Sequence, residues 1–129
     1  MIILTIRTDK PEAEIGLYED SHRLDYVAWQ AHRELAETIH AKIAQLLKGQ
    51  NKSWQDVEGI VCFKGPGSFT GLRIGAALAS ALKMANDIAL VGSDGEDWIA
   101  SGLKALENGC NESAIPFYGS EAHITLPKK

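Results

Sequence analysis

The 129-residue chain is poor in the features that mark several classes of protein. It has two cysteines, Cys62 and Cys110, and neither belongs to a Cys-x-x-Cys pair. That count excludes a disulfide framework and a zinc ribbon. Cations are in the minority: thirteen Lys and Arg oppose seventeen Asp and Glu, for a net charge of −4. The clustered positive charge of a nucleic-acid binder is missing, so work near RNA would leave the phosphate contacts to a partner. Long apolar runs are missing too. The longest weakly polar stretch, Ile74 to Ala85, contains Ser80 and Lys83 and is too short to span a bilayer. The apolar start, Met1-Ile2-Ile3-Leu4-Thr5-Ile6, is stopped by Arg7 and Asp9. No basic segment precedes it and no small-residue cleavage site follows, so no signal peptide is expected and the expected location is the cytoplasm. What remains is ordinary globular composition, 45% hydrophobic and 23% charged. This excludes disorder and suits one compact domain.

Periodicity divides the chain. Met1 to Thr8 alternates and is β-branched, and Asp9-Lys10-Pro11 is turn chemistry. Ile15 to Tyr18 and Leu24 to Gln30 read as two further strands, joined through Glu19-Asp20-Ser21. Short turns between consecutive strands predict an antiparallel meander. From Ala31 to Lys48 the period becomes helical, with Leu35, Ile39, Ile43 and Leu46 on one face and Gly49 as the expected C-cap. Ser53 is placed to cap a short turn at Trp54. Gly59 to Phe63 is continuously apolar, as in a parallel strand buried on both faces. A helix from about Thr70 to Asn86, a strand from Ile88 to Val91, and a helix from Gly95 to Glu107 capped by Asp94 complete the order βββαβαβα. This order predicts an α/β fold: a mixed sheet, antiparallel first and parallel later, with helices on its faces.

The segment Gly65-Pro66-Gly67-Ser68-Phe69-Thr70-Gly71 carries the most information. It lies between a buried strand and a helix, where helix N–H groups can bind an anion. As a P-loop it fails, because Leu72 and Arg73 stand where Lys and then Ser or Thr are needed. As a dinucleotide fingerprint it is weak. It does not follow the first strand of a βαβ unit, and Pro66 removes an N–H from the cradle. The structural reading is a tight strand-to-helix turn with Ser68 as N-cap. The helix behind it carries Gly71, Gly75 and Ala79 on one stripe. Interior glycine costs a helix about 1 kcal/mol relative to alanine, so close packing must offset it, on the chain's own sheet or on a partner helix.

Eleven consecutive residues, Gly65-Pro66-Gly67-Ser68-Phe69-Thr70-Gly71-Leu72-Arg73-Ile74-Gly75, closely resemble the hallmark segment of the TsaB (YeaZ) family. His32-x-Glu34-Leu35-x-x-x-Ile39-x-x-x-Ile43 resembles that family's first helix, and Trp54-x-Asp56-Val57-x-Gly59-Ile60 its entry into the strand before the glycine loop. The resemblance covers roughly residues 1 to 108, and Ile124-Thr125-x-Pro127-Lys128 resembles a family-style end. It implies a single lobe of the RNase H-like, actin/Hsp70 ATPase superfamily. It further implies a non-catalytic subunit in making N6-threonylcarbamoyladenosine at position 37 of tRNA. The implied partner is the catalytic subunit TsaD, bound through the first two long helices. TsaE, an ATPase, would join them, and TsaC would supply threonylcarbamoyl-adenylate. ATP and metal are then expected on the partners and no cofactor on this chain.

Two departures qualify the resemblance. Ile6-Arg7-Thr8-Asp9 stands where the family often has Asp-Thr-Ser, so an arginine replaces an acid that faces nucleotide and metal in the wider superfamily. Few residues follow Val91, so residues 109 to 129 are expected to be a tail in place of most of a second lobe. The expected interface comprises His32, Leu35, Ile39 and Ile43 of the first helix and Gly71, Leu72, Arg73, Gly75 and Ala79 of the second. A homodimer through the same face is expected when the chain is alone. Bulky substitution of Gly71 or Gly75 is expected to abolish binding and leave the domain folded. Glu37-x-x-His40 has the spacing of half a di-metal site without its other half. Ser68 and Thr70 lack a nucleophile elbow. The alternative to the subunit is a small nucleotide-binding enzyme, an ATPase or peptidase, using the Gly65–Gly71 loop.

Overall fold

A computed structural model describes residues 1–113 and 115. Strands β1 (Ile2–Arg7), β2 (Glu12–Glu19) and β3 (His22–Gln30) form the expected meander. The β2–β3 turn is tight because Asp20 adopts a left-handed φ of 55°, which matches the twist of a two-residue hairpin. Its carboxylate accepts from the Met1 ammonium at 2.8 Å. β3 therefore begins at His22, two residues before the expected Leu24.

β4 (Gly59–Phe63) and β5 (Ala89–Ser93) add in parallel, giving the order β3-β2-β1-β4-β5. All five β4 residues are buried, as the unbroken apolar run predicts. The central strand is thus β1, which pairs antiparallel with β2 and parallel with β4. β5 runs two residues beyond the expected Val91.

Helices α1 (Leu35–Gly49) and α2 (Phe69–Asn86) pack on one face of the sheet, where Leu35, Ile39, Ile43, Ala76 and Ala79 join Leu4, Ile6, Ile15 and Ile60 in the larger core. Helix α3 (Trp98–Glu107) lies on the other, where Trp98, Leu103 and Leu106 meet Val61, Phe63 and Val91. Burial of each large aliphatic side chain contributes about 1.5–3 kcal/mol.

Three element ends differ from expectation. The first helix does not begin at Ala31. The N–H groups of Ala31 and His32 donate to the Pro11 carbonyl, His32 has φ 48°, and a 3-10 turn over His32–Glu34 precedes α1. Gly49 is the last helical residue, and the left-handed position falls on Asn51. Asp94 does not cap α3, which starts at Trp98 because that indole packs edge-on against Phe63. The cap at Trp54 stands, with Ser53 and Asp56 forming a reciprocal capping box. Of the expected tail, residues 109–113 and 115 are described, and the rest, including Ile124 to Lys128, lies outside the described residues. Among the described residues no helix is long and apolar enough to cross a membrane.

Candidate functional site

The glycine-rich turn leaves β4 with Gly65 at φ 107° and a cis Gly65–Pro66 bond, and enters α2 through Ser68. The Ser68 hydroxyl accepts from the Gly71 N–H at 3.4 Å, so this side chain is an N-cap. The turn lies against the β1–β2 connection. The Ser68 N–H donates to the Asp9 carbonyl at 3.1 Å. A Cβ on Gly67 would occupy the place of the Asp9 side chain. Asp9 in turn is held by Arg7, whose Nε and a terminal nitrogen donate to its two carboxylate oxygens at 2.8 and 3.2 Å. The Arg7 guanidinium also stacks 4.0 Å above the Phe63 ring. The arginine that replaces the family's acid therefore joins β1, β4 and the turn after β1. Pro66 and Thr70 are exposed, and Phe69 is half-buried.

The small-residue stripe is occupied from within. A Cβ on Gly71 would strike the Thr8 carbonyl oxygen, and one on Gly75 would strike the Thr8 hydroxyl. That hydroxyl donates to the Gly71 carbonyl at 2.8 Å. Ala79 and Leu72 are fully enclosed. The close approach inferred from these residues is therefore made by Thr8, the first residue after β1. Leu35, Ile39 and Ile43 are likewise core residues beneath α1. A bulky residue at Gly71 or Gly75 would disturb the domain itself, which corrects the expectation that it would stay folded.

Of the expected interface residues, His32 and Arg73 are exposed. His32 lines a cavity of about 450 Å³ between the starts of α1 and α2, into which Lys10, Arg33, Ser68 and Thr70 also reach. His40 is exposed and stacks on Trp54 at 4.7 Å. Among the described residues no three His, Cys, Asp or Glu side chains converge as a metal site.

Sequence reasoning missed the outward face of α2. Thr70, Arg73, Ala77, Ala81 and Met84 are exposed at helical spacing, with half-buried Ile74 and Leu78 beside them. Met84 is 87% exposed. The one cation in this half of the helix, Lys83, turns its ammonium away to the Ile88 carbonyl and the Asn111 side chain. From Ile74 to Ala85 the outward face of α2 is thus apolar and small. α1 differs, since Glu37, His40, Gln45 and Lys48 face solvent there. The spacing 70, 73, 77, 81, 84 was a readable signal.

Comparison with known proteins agrees with this architecture. A family model described as TsaD, tRNA N6-adenosine threonylcarbamoyltransferase, matches residues 27–106. The tRNA threonylcarbamoyladenosine biosynthesis protein TsaB of Bacillus subtilis is 36% identical over 89 residues, which is 68% of this chain and 38% of that protein. YeaZ from Pseudomonas aeruginosa superposes with a TM-score of 0.69 at 21% identity, over 82% of this chain and 48% of its own. The RuvC structure of Thermus thermophilus superposes at 0.51 with 9% identity, over 87% and 82% of the two chains, which places the sheet in the RNase H-like fold. The chain spans less than half the length of the TsaB and YeaZ relatives it matches. With the glycine-rich turn, the strand order and these matches in agreement, the chain belongs to the TsaB/YeaZ family.

Proposed function

We propose that this chain is a non-catalytic subunit that docks on TsaD and so supports synthesis of N6-threonylcarbamoyladenosine at position 37 of tRNA in the cytoplasm. The observation that carries the reading is the outward face of α2, apolar from Ile74 to Ala85 and without a free charge. A helix face of this kind favours burial against another helix. Arg73 at its upper end and His32 across the cavity supply polar contacts at the edge of the patch. TsaE would join this pair, with ATP and metal on the partners, and the same α2 face would close a homodimer when TsaD is absent.

The test is light scattering after size exclusion of the chain mixed with TsaD from the same source. A stable mixed complex is expected, and Met84→Glu or Ala81→Glu should remove it without lowering the melting temperature. Failure of the wild-type chain to associate with a competent TsaD, or association unaffected by both substitutions, would overturn the reading. The nucleotide-binding alternative draws no support from the turn geometry. The space beside Gly67 is filled by the Cβ and backbone of Asp9, which leaves no open anion cradle on that side of the turn.

A further inference from the structure

We infer that the groove beside α3 is a docking site for a basic amphipathic helix of another protein. It lies on the sheet face opposite α1 and α2 and encloses about 840 Å³. α3 packs on β4 and β5. Among the described residues no helix covers β1 and β2 on that face. Two strand spacings amount to about 10 Å, roughly the diameter of one helix with its side chains. The floor is apolar, built from Ile3, Tyr18, Leu103 and the half-buried Ile99.

The rim selects the occupant. Glu96, Asp97 and Glu107 lie along it with Lys104, and among the described residues none of the four makes an ion pair. Asp20, also on the rim, is already paired with the Met1 ammonium at 2.8 Å. Three unpaired carboxylates against one ammonium give the rim a net negative charge. A second copy would bring the same negative rim to its own image, and like charges across an interface are costly. A helix with Leu or Ile on one face and Lys or Arg flanking it matches both floor and rim. This surface is separate from the α2 face, so the two can be tested apart.

The test uses the full chain and a fluorescent 14-residue peptide of leucine and lysine patterned as an amphipathic helix. A peptide with the same leucines and glutamate for lysine is the control. Anisotropy titration should show saturable one-to-one binding of the basic peptide, at least tenfold tighter than the acidic one. The triple variant Glu96→Gln/Asp97→Asn/Glu107→Gln should weaken it at least tenfold, and so should Ala100→Arg on the exposed groove side of α3. Glu37→Gln on α1 should change nothing, and all variants alter exposed residues, so their melting temperatures should match the parent. Absent binding, equal binding of both peptides, or an unaffected triple variant would overturn the inference. A dimer in sedimentation that Ala100→Arg dissociates would assign the groove to a second copy instead. Tighter peptide binding after removal of residues 116–129 would assign it to that segment, and either result would also overturn the inference.

Discussion

The carbonyl oxygen of Thr8 sits where a Cβ on Gly71 would lie, and the Thr8 hydroxyl sits where one on Gly75 would lie. One residue, just past the end of β1, thus sets the residue type at two positions of α2. Gly75→Ala is expected to cost about 1–3 kcal/mol through overpacking. Gly71→Ala should cost at least as much, because a backbone carbonyl cannot rotate away. Thr8→Ala should partly rescue Gly75→Ala, since it removes the obstructing hydroxyl, but should not rescue Gly71→Ala. Urea denaturation of the single and double variants measures this coupling, and equal rescue of both glycine variants would contradict the geometry.

Arg7 and Asp9 form a second such pair. The Asp9 side chain is 6% exposed and its nearest cation is Arg7 at 2.8 Å. Arg7→Met should leave a buried carboxylate without its partner and cost about 3 kcal/mol. Asp9→Asn in the Arg7→Met background should recover part of that loss. Thermal melts of the two variants decide it, and an Arg7→Met protein as stable as the parent would remove Arg7 from its structural role.

The two thiols should differ in reactivity. Burial alone pushes the Cys62 thiol up to about 12, and Cys110 is exposed. Titration of the native protein with a thiol reagent at pH 8 should give one fast thiol, lost in Cys110→Ser, and a second only in denaturant.

Alkaline stability should follow Tyr26. Its hydroxyl donates to Glu14 at 2.6 Å. Burial first, and then this carboxylate, raise its pKa far above the ordinary 10.0. The folded state keeps the proton where the unfolded chain releases it. Stability is therefore intact below about pH 10 and falls as pH rises further. Burial of Tyr18 acts in the same direction. Tyr26→Phe should flatten the decline in the urea midpoint between pH 9.5 and 11, and an unchanged slope would exclude Tyr26 as its source.

Much of this was legible in the sequence because local chemistry and tertiary demand agreed. The apolar spacing of Leu35, Ile39 and Ile43, the run Gly59 to Phe63, and the capping pair Ser53 and Asp56 each have one physical solution. The start of α3 was not legible, because Asp97 is as competent a cap residue as Asp94 and the helix begins after Asp97, where Trp98 packs on Phe63. The stripe Gly71, Gly75 and Ala79 showed that some backbone comes close, and glycine spacing says nothing about which one. The answer, Thr8, lies 63 residues from Gly71. The α2 face and the α3 groove depend on what the other elements leave uncovered, which no local pattern contains.

The capping box gives the mildest expected change. Ser53→Ala should cost about 1 kcal/mol and should leave α1 and β4 intact, as a lower urea midpoint with an unchanged slope would show. A steeper or shallower slope would mean that the turn also shapes the unfolded chain.

β5 ends the sheet, and its free edge is closed by two residues. The Asn111 side chain accepts from the Leu90 N–H, the Glu112 side chain from the Gly92 N–H, and the Glu112 N–H donates to the Leu90 carbonyl. An uncovered edge strand invites another molecule to add a strand. These two residues therefore occupy backbone groups of β5 through which a further strand would otherwise add.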